Sequence, residues 1–388
     1  MQDVEKIKNE LLTFPFELFD NVFSQRSFID IGRINAHTPE AALNFIQNYG
    51  YDITIPEVAD TVRAILNEAK AFISTYLLDD PEGKGDSFVM PPQIANNSDV
   101  LSFLVMASEK KRTLDQAWAC AVLRVAHTIT HVENDLAKSF MPTIRDQIFQ
   151  RFSRHLFGNA QSGYYIGSGK EAIKLRLFEI KSEKTRESTI LKLLHKKENV
   201  TADIFDQVGV RIVTYNKLDI ILVLRYFATN HVLAFANVKP SRTRNNAVNI
   251  PRFIEGATAL SKDPELANMT EHQVAEMLEK MLEIPQEERT KITKKIIEEQ
   301  NIYSSTMYSS VQLTTRHLIT IDNPMNPRRS APYRFFFPFE VQILDEESYL
   351  ESRSGRASHE EYKKSQTIAA RKRVLANVIR CLRHENDE

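Results

Sequence analysis

The stretch FDQVGVRIVTY, Phe205–Tyr215, decides how the second half of the chain folds. An acid, Asp206, stands just before an apolar run that reads as a strand, and Gly209 and Arg211 interrupt that run. A strand that only fills a core has no use for a carboxylate at its mouth or an arginine on it.

A second stretch gives Asp206 a partner. In FFFPFEVQILDEESYLESRSGRASHEEYKK, Phe335–Lys364, Glu340 lies within an apolar strand. Strand alternation puts Glu340 and Gln342 on one face, with Val341 and Ile343 on the other. Two buried strands that each carry one acid can bring the acids together at a sheet edge. Left unpaired there, the carboxylates repel and lose solvation at high cost. A divalent cation removes that cost, and hard oxygen ligands favour magnesium, which takes one or two carboxylates plus substrate phosphates. A third stretch, KSEKTRESTILK, Lys181–Lys192, supplies positive charge. Lys184, Ser188 and Lys192 are spaced four apart and form one stripe on a helix, and lysines with a hydroxyl at that spacing suit a triphosphate chain.

Around these stretches the texture divides. Residues 1 to about 155 read as mostly helical. Pro56–Leu78 has apolar residues at helical spacing, and Trp118, Val122, Val125, Ile129, Val132 and Leu136 make one helix face. DDPEGKGDSFVMPPQ, Asp79–Gln93, reads as a long loop. The glycine cluster LFGNAQSGYYIGSGK, Leu156–Lys170, reads as a linker and the best domain boundary, so a second domain is expected over 156–388. Its strands are expected at Gly209–Tyr215, Val232–Val238, Ser310–Ile321 and Tyr333–Leu344, with a helical insertion at about 251–300. Ser365–Arg383 reads as a basic tail helix with a solvated face. Helices segregated from a short mixed or antiparallel sheet indicate an α+β fold.

Weaker signals are set aside. GSGK, Gly167–Lys170, fails the P-loop spacing, and Glu171 replaces the hydroxyl that meets magnesium. His127 and His131 stand one helical turn apart, a spacing that can share a metal. Both fall off the apolar face, so a solvated or interdomain face is the expectation.

Composition bounds the class. Over 388 residues, 42% are hydrophobic, enough for a packed core, and the formal net charge of -1 gives no global field for nucleic acid or membrane. The two cysteines, Cys120 and Cys381, make no disulfide framework and fit a reducing compartment. No apolar run approaches the roughly 18 residues of a membrane-spanning helix. The start, MQDVEKIKNELL, lacks a signal peptide's order. A cytoplasmic protein that binds neither membrane nor DNA is expected.

In order, the chain carries Lys-x-x-x-Ser-x-x-x-Lys (Lys184–Lys192), Asp-x-x-Gly-x-Arg (Asp206–Arg211), Tyr-x-Ser (Tyr308–Ser310), Glu-Val-Gln-Ile (Glu340–Ile343) and Ala-Ser-His-x-x-Tyr-Lys (Ala357–Lys363). That series resembles the synthetase domain of the RelA/SpoT alarmone synthetases, over roughly Lys181–Lys364 less the helical insertion. DQVGVRIV and EVQI followed by GRASHEEYK are its most specific parts. The resemblance implies a nucleotidyltransferase-like mixed sheet flanked by helices. It implies a magnesium-dependent pyrophosphokinase that moves the β,γ-pyrophosphate of ATP to the 3′-hydroxyl of a guanine nucleotide. Other acceptors are another nucleotide or an RNA 3′ end, and the non-enzymatic alternative is a nucleotide- or RNA-binding module. Carried over by position, Asp206 is the magnesium ligand, and Glu340 is the second acid, binding metal or taking the hydroxyl proton. Lys184, Ser188 and Lys192 contact ATP phosphates. Tyr308 stacks on guanine, Gln342 is a nearby polar contact, and Arg211 lies on the nucleotide side of its strand. His359 and Lys363 support the site.

The chain departs from the family at named positions. Ser182 stands where the family has an arginine, with Arg176 and Arg186 the nearby substitutes. Gln312 stands in place of a histidine, and Leu344 and Asp345 replace Arg-Thr. Lys239, Arg242 and Arg244 match the family's lysine-bearing stretch only loosely. The N-terminal region has no His-Asp pair, so no alarmone hydrolase activity is expected there; regulation, partner binding or homo-oligomer formation is left for it.

Overall fold

A computed structural model of the chain describes residues 34–79, 88–134, 136–159, 161, 163–181, 185–195, 207–299, 309–322, 332–353 and 359–385. The chain forms two compact units that interleave in sequence. One is Met1–Asp135, Thr185–Asp203 and Lys364–Glu388; the other is Leu136–Lys184 and Ile204–Lys363. This differs from a single break at 155/156. The Met141–Ser153 helix folds with the sheet, while the Arg186–His195 helix and the C-terminal residues fold with the N-terminal helices.

The helical unit is organised by the Leu114–Glu133 helix. Thr113 caps it by accepting the Gln116 N–H, and Trp118, Val122, Val125, Ile129 and Val132 are all buried. It packs against Pro56–Tyr76, Val100–Ala107, Arg186–His195 and Ala376–Glu385. With neighbours on several sides, it buries more than one stripe, including Ala117, Ala121 and Arg124. The Arg124 Nη1 donates to the Val374 carbonyl at 3.0 Å. Cys120 is buried, and neither cysteine is in a disulfide.

The tail expectation is corrected in two respects. The tail is two helices, His359–Val374 and Ala376–Glu385, and its Arg371 is buried rather than solvated. Arg371 Nε donates to the Leu77 carbonyl at 3.0 Å and its guanidinium lies 5.2 Å from the centre of the Phe88 ring. A helix C-terminus such as Leu77 leaves carbonyls that a guanidinium satisfies well.

The other unit is built on a mixed seven-stranded sheet of order β1-β2-β3-β4-β7-β6-β5. The strands are β1 (Leu156–Asn159), β2 (Gly163–Ile166), β3 (Ile173–Ile180), β4 (Gly209–Thr214), β5 (Arg244–Asn245), β6 (Val311–Ile321) and β7 (Tyr333–Asp345). Among the described residues only the central β4–β7 pair is parallel. Val210, Ile212, Val341, Ile343, Val311 and Leu313 belong to one apolar cluster with Ile144, Ile148 and Phe152 of the Met141–Ser153 helix. Ile220, Val223 and Phe227 of the Lys217–Thr229 helix complete that core. The protein is therefore α+β, with a mixed sheet among helices.

Two expectations fail here. The glycine cluster is the β1–β2 hairpin at the sheet's edge, not a linker. Gly163, Gly167 and Gly169 have φ of 83°, 81° and 64°, so the glycines serve the turns of a folded element. The apolar run Val232–Val238 is not a strand. His231, at φ 53°, ends the preceding helix, and Phe235–Asn237 makes a short 3-10 turn. Val232 and Leu233 are buried there by the core without a ladder.

Between β5 and β6, the described chain is helical: Ile250–Leu260, Pro264–Asn268, Glu271–Leu282 and Gln286–Glu299. Glu279 ties this insertion to the core by accepting the Lys217 and Leu218 N–H groups, each at 2.7 Å. Those amides are orphan donors of a helix N-terminus, where a carboxylate is favoured. Burial, with Glu279 beside it, pushes Asp219 up to about 6. No helix among the described residues is long and apolar enough to cross a membrane.

Candidate functional site

The face of the sheet opposite the apolar cluster carries two rows of polar residues. Strand register aligns Glu179 of β3 with Arg211 of β4, Arg211 with Gln342 of β7, Gln342 with Gln312 of β6, and Gln312 with Arg244 of β5. The next row on that face holds Gly209, Glu340 and Thr314, in register across β4, β7 and β6. Residues two apart on a strand share a face, so both rows follow from the spacing Gly209/Arg211, Glu340/Gln342 and Gln312/Thr314. Lys181 extends the second row, its backbone N–H bonded to the Gly209 carbonyl at 2.8 Å.

The rows are joined by side-chain bonds. Arg211 donates from Nη1 to Glu179 Oε1 at 2.9 Å and from Nε to Gln342 Oε1 at 3.2 Å. The amide of Gln342 is thereby fixed, with its oxygen turned to the arginine. Arg244 donates from Nη2 to Gln312 Oε1 at 2.6 Å, and Gln312 passes its own Nε2–H to Glu340 Oε2. Lys181 Nζ stands 3.0 Å from Glu340 Oε1. Glu340 is only 8% exposed, yet its charge is matched by an ammonium and an amide. A buried acid with partners on both oxygens is held in one orientation.

Arg211, Glu340 and Gln342 are thus brought together. Asp206, Lys184 and Tyr308 lie outside the described residues. Ser188 and Lys192 stand one turn apart on the Arg186–His195 helix, which belongs to the helical unit. Ser188 Oγ accepts from Thr185 Oγ1 at 3.0 Å, and Lys192 is buried.

The two arginines offered in place of Ser182 are committed elsewhere. Arg176 pairs with Glu346 at 2.6 Å. Arg186 pairs with Glu68 and Glu133, which raise its pKa further above the usual arginine value, Glu68 contributing most.

The histidine pair is internal packing of the helical unit. His127 and His131 have ring centres 4.5 Å apart, and His127 Nδ1 lies 2.7 Å from the Tyr49 hydroxyl. Burial first, then the neighbouring His131, pushes His127 down to about 4, while burial and Tyr51 push Tyr49 up to about 12. Among the described residues no three histidine, cysteine or acidic side chains cluster as a metal site. Glu340 is a hard oxygen donor of the kind magnesium takes, one or two to a shell completed by phosphate and water; in this structure Lys181 and Gln312 bond its two oxygens.

Sequence reading passed over Lys181, Glu179 and the link from Arg244 to Gln312. A signal for the first two exists. In LRLFEIK, Leu175–Lys181, alternation puts Glu179 and Lys181 on one face, as on β4 and β7. The link from Arg244 to Gln312 gave no signal, because a two-residue strand is too short for periodicity. Compared with known proteins, the chain matches no family model and no curated protein.

Proposed function

We propose that the chain is a magnesium-dependent pyrophosphokinase that transfers the β,γ-pyrophosphate of ATP to the 3′-hydroxyl of a guanine nucleotide, on a nucleotidyltransferase-like sheet. The observation that carries this reading is the buried, doubly bonded Glu340 on a polar sheet face, in register with the glycine that opens β4. The motif order from Lys184 to Lys363 supports it.

Each residue then has a role. Glu340 is the acid that binds metal or takes the acceptor's hydroxyl proton, and Gln312 orients it. Gln342, held by Arg211, is a polar contact for the acceptor. Tyr308 stacks on its base. By the motif resemblance alone, Lys184, Ser188 and Lys192 are assigned to the ATP phosphates. Asp206 and Glu340 would hold magnesium, which when bound neutralises charge on phosphate oxygens. Phosphoryl-type transfer depends mainly on positioning and charge neutralisation, and general-base help from Glu340 adds about 10²–10⁴-fold.

One observation favours a second acceptor class. Gln312 stands in place of the family's histidine and is bonded to Arg244, which matches the family's lysine-bearing stretch only loosely. That altered edge suits a ribose 3′-hydroxyl beside a base other than guanine, including an RNA 3′ end. Incubating the protein with ATP and each acceptor, then identifying products, tests both readings. AMP and a pyrophosphorylated acceptor are expected, and Glu340→Gln is expected to yield neither.

A further inference from the structure

Lys181 lies on the row beyond Gly209, two strands away from Glu340. Adjacent strands are separated by about 4.8 Å, so the two backbones are about 10 Å apart. The ammonium of Lys181 nevertheless reaches Glu340 Oε1 at 3.0 Å, because its stem crosses β4 over Gly209. A Cβ built on Gly209 would meet Lys181 Cδ at 2.9 Å, Cγ at 3.5 Å and Cβ at 3.6 Å. Gly209 has no positive φ to account for it. Its missing side chain is space, and the lysine stem fills that space.

The consequence is electrostatic. The acid that fits a divalent cation already holds a cation supplied by the chain. Two cations competing for one carboxylate in a poorly solvated place repel each other strongly. We propose that Lys181 is the resting counter-cation of this site: it occupies Glu340 until a divalent cation displaces it, and Gly209 is glycine to let it reach. The proposal rests on the reading of Glu340 as a magnesium ligand, and makes Lys181 a positioning residue. A lysine displaced from Glu340 remains on the polar face as a cation, where an anionic phosphate is its natural next partner. The exchange would couple cation entry to phosphate capture.

The test uses manganese(II), whose free ion is counted by electron paramagnetic resonance, titrated into the full-length protein without nucleotide. Lys181→Met keeps the stem and removes the charge; removal of a like charge at this range should tighten manganese binding about tenfold. Lys181→Arg should restore wild-type affinity. Gly209→Ala, which crowds the stem off its path, should tighten binding in the same direction with the lysine still present. A merely structural role predicts weaker binding in the variants, since damage to a fold does not build a better site. Unchanged or weaker binding in Lys181→Met overturns the proposal. The underlying reading is tested apart from it by adding Glu340→Gln to Lys181→Met. Loss of the gain supports Glu340 as the ligand, whereas a retained gain overturns both. Binding that needs Glu340 but ignores Lys181 defeats the exchange alone.

Discussion

Gln312 faces Gln342 across the β6–β7 pair, yet its amide passes to the next row and donates to Glu340. Its oxygen meanwhile accepts from Arg244 at 2.6 Å. One side chain therefore connects the charge at the edge of the sheet to the acid near its centre.

That double role predicts a specific pattern of tolerance. A neutral imidazole also offers one donor and one acceptor, so Gln312→His should fold and keep both bonds. Gln312→Leu offers neither and leaves Glu340 and Arg244 each short of a partner, at a cost of about 1–3 kcal/mol in stability. Urea denaturation of the two variants measures this difference. In the transfer assay, Gln312→Leu should lose about 10²-fold and Gln312→His far less, because only the first leaves Glu340 unaimed. Equal losses in both would remove Gln312 from the orientation of Glu340.

Arg186 is the ionic tie of the helical unit, drawing Glu68 of the Pro56–Tyr76 helix and Glu133 of the Leu114–Glu133 helix to the start of its own helix. Arg186→Met keeps the stem but leaves two partly buried carboxylates facing each other. The expected loss is about 1–2 kcal/mol, reduced from a fully buried pair because all three groups are partly exposed. The single tryptophan, Trp118, is buried in this unit, so its fluorescence follows the unfolding. An unchanged midpoint would show that the tie contributes nothing net.

Two buried groups, His127 of the helical unit and Asp219 of the sheet unit, should contribute oppositely to stability in acid. His127 is held near 4, below its ordinary 6.5, so the unfolded chain binds its proton first. Its contribution to stability is complete above pH 6.5 and is lost as pH falls toward 4. Asp219 is raised to about 6 from 3.8, so the folded chain binds that proton first, and stability gains as pH falls from 6 toward 3.8. Trp118 fluorescence in urea from pH 7 to 4.5 should show the helical unit weakening, with a shallower slope in His127→Phe. Asp219→Asn should raise stability at pH 7, read by far-ultraviolet circular dichroism, and add little at pH 4.5. An identical pH slope in His127→Phe would contradict the burial argument.

The sequence revealed the strands that carry chemistry better than the sheet that holds them. β4, β6 and β7 are long or strongly apolar, and alternation alone put Glu340 with Gln342. β3 was missed because its exposure is mixed along its length, and the β1–β2 hairpin because its glycines resemble a linker. Interleaving of the two units was illegible for another reason. Ile190, Leu193 and Leu194 announce a buried helix face, but no local pattern says which unit buries it. Lys181 shows the same limit at the site. Its bond to Glu340 spans 159 residues and depends on register across two strands and on an absent side chain. Glu340→Gln, considered from sequence, looks like relief of two facing acids. With Lys181 opposite, the change instead strands an ammonium, and a small loss of stability is expected.

The central claim is the identity of the bond that moves. The most direct measurement is 31P NMR of the products formed by the full-length protein from ATP, magnesium and GDP or GTP. The account predicts AMP, together with a guanine nucleotide carrying a new diphosphate on its 3′-oxygen, and no product with Glu340→Gln. Release of free inorganic pyrophosphate with AMP attached to the acceptor, or unreacted ATP with every nucleotide and RNA acceptor, would contradict it.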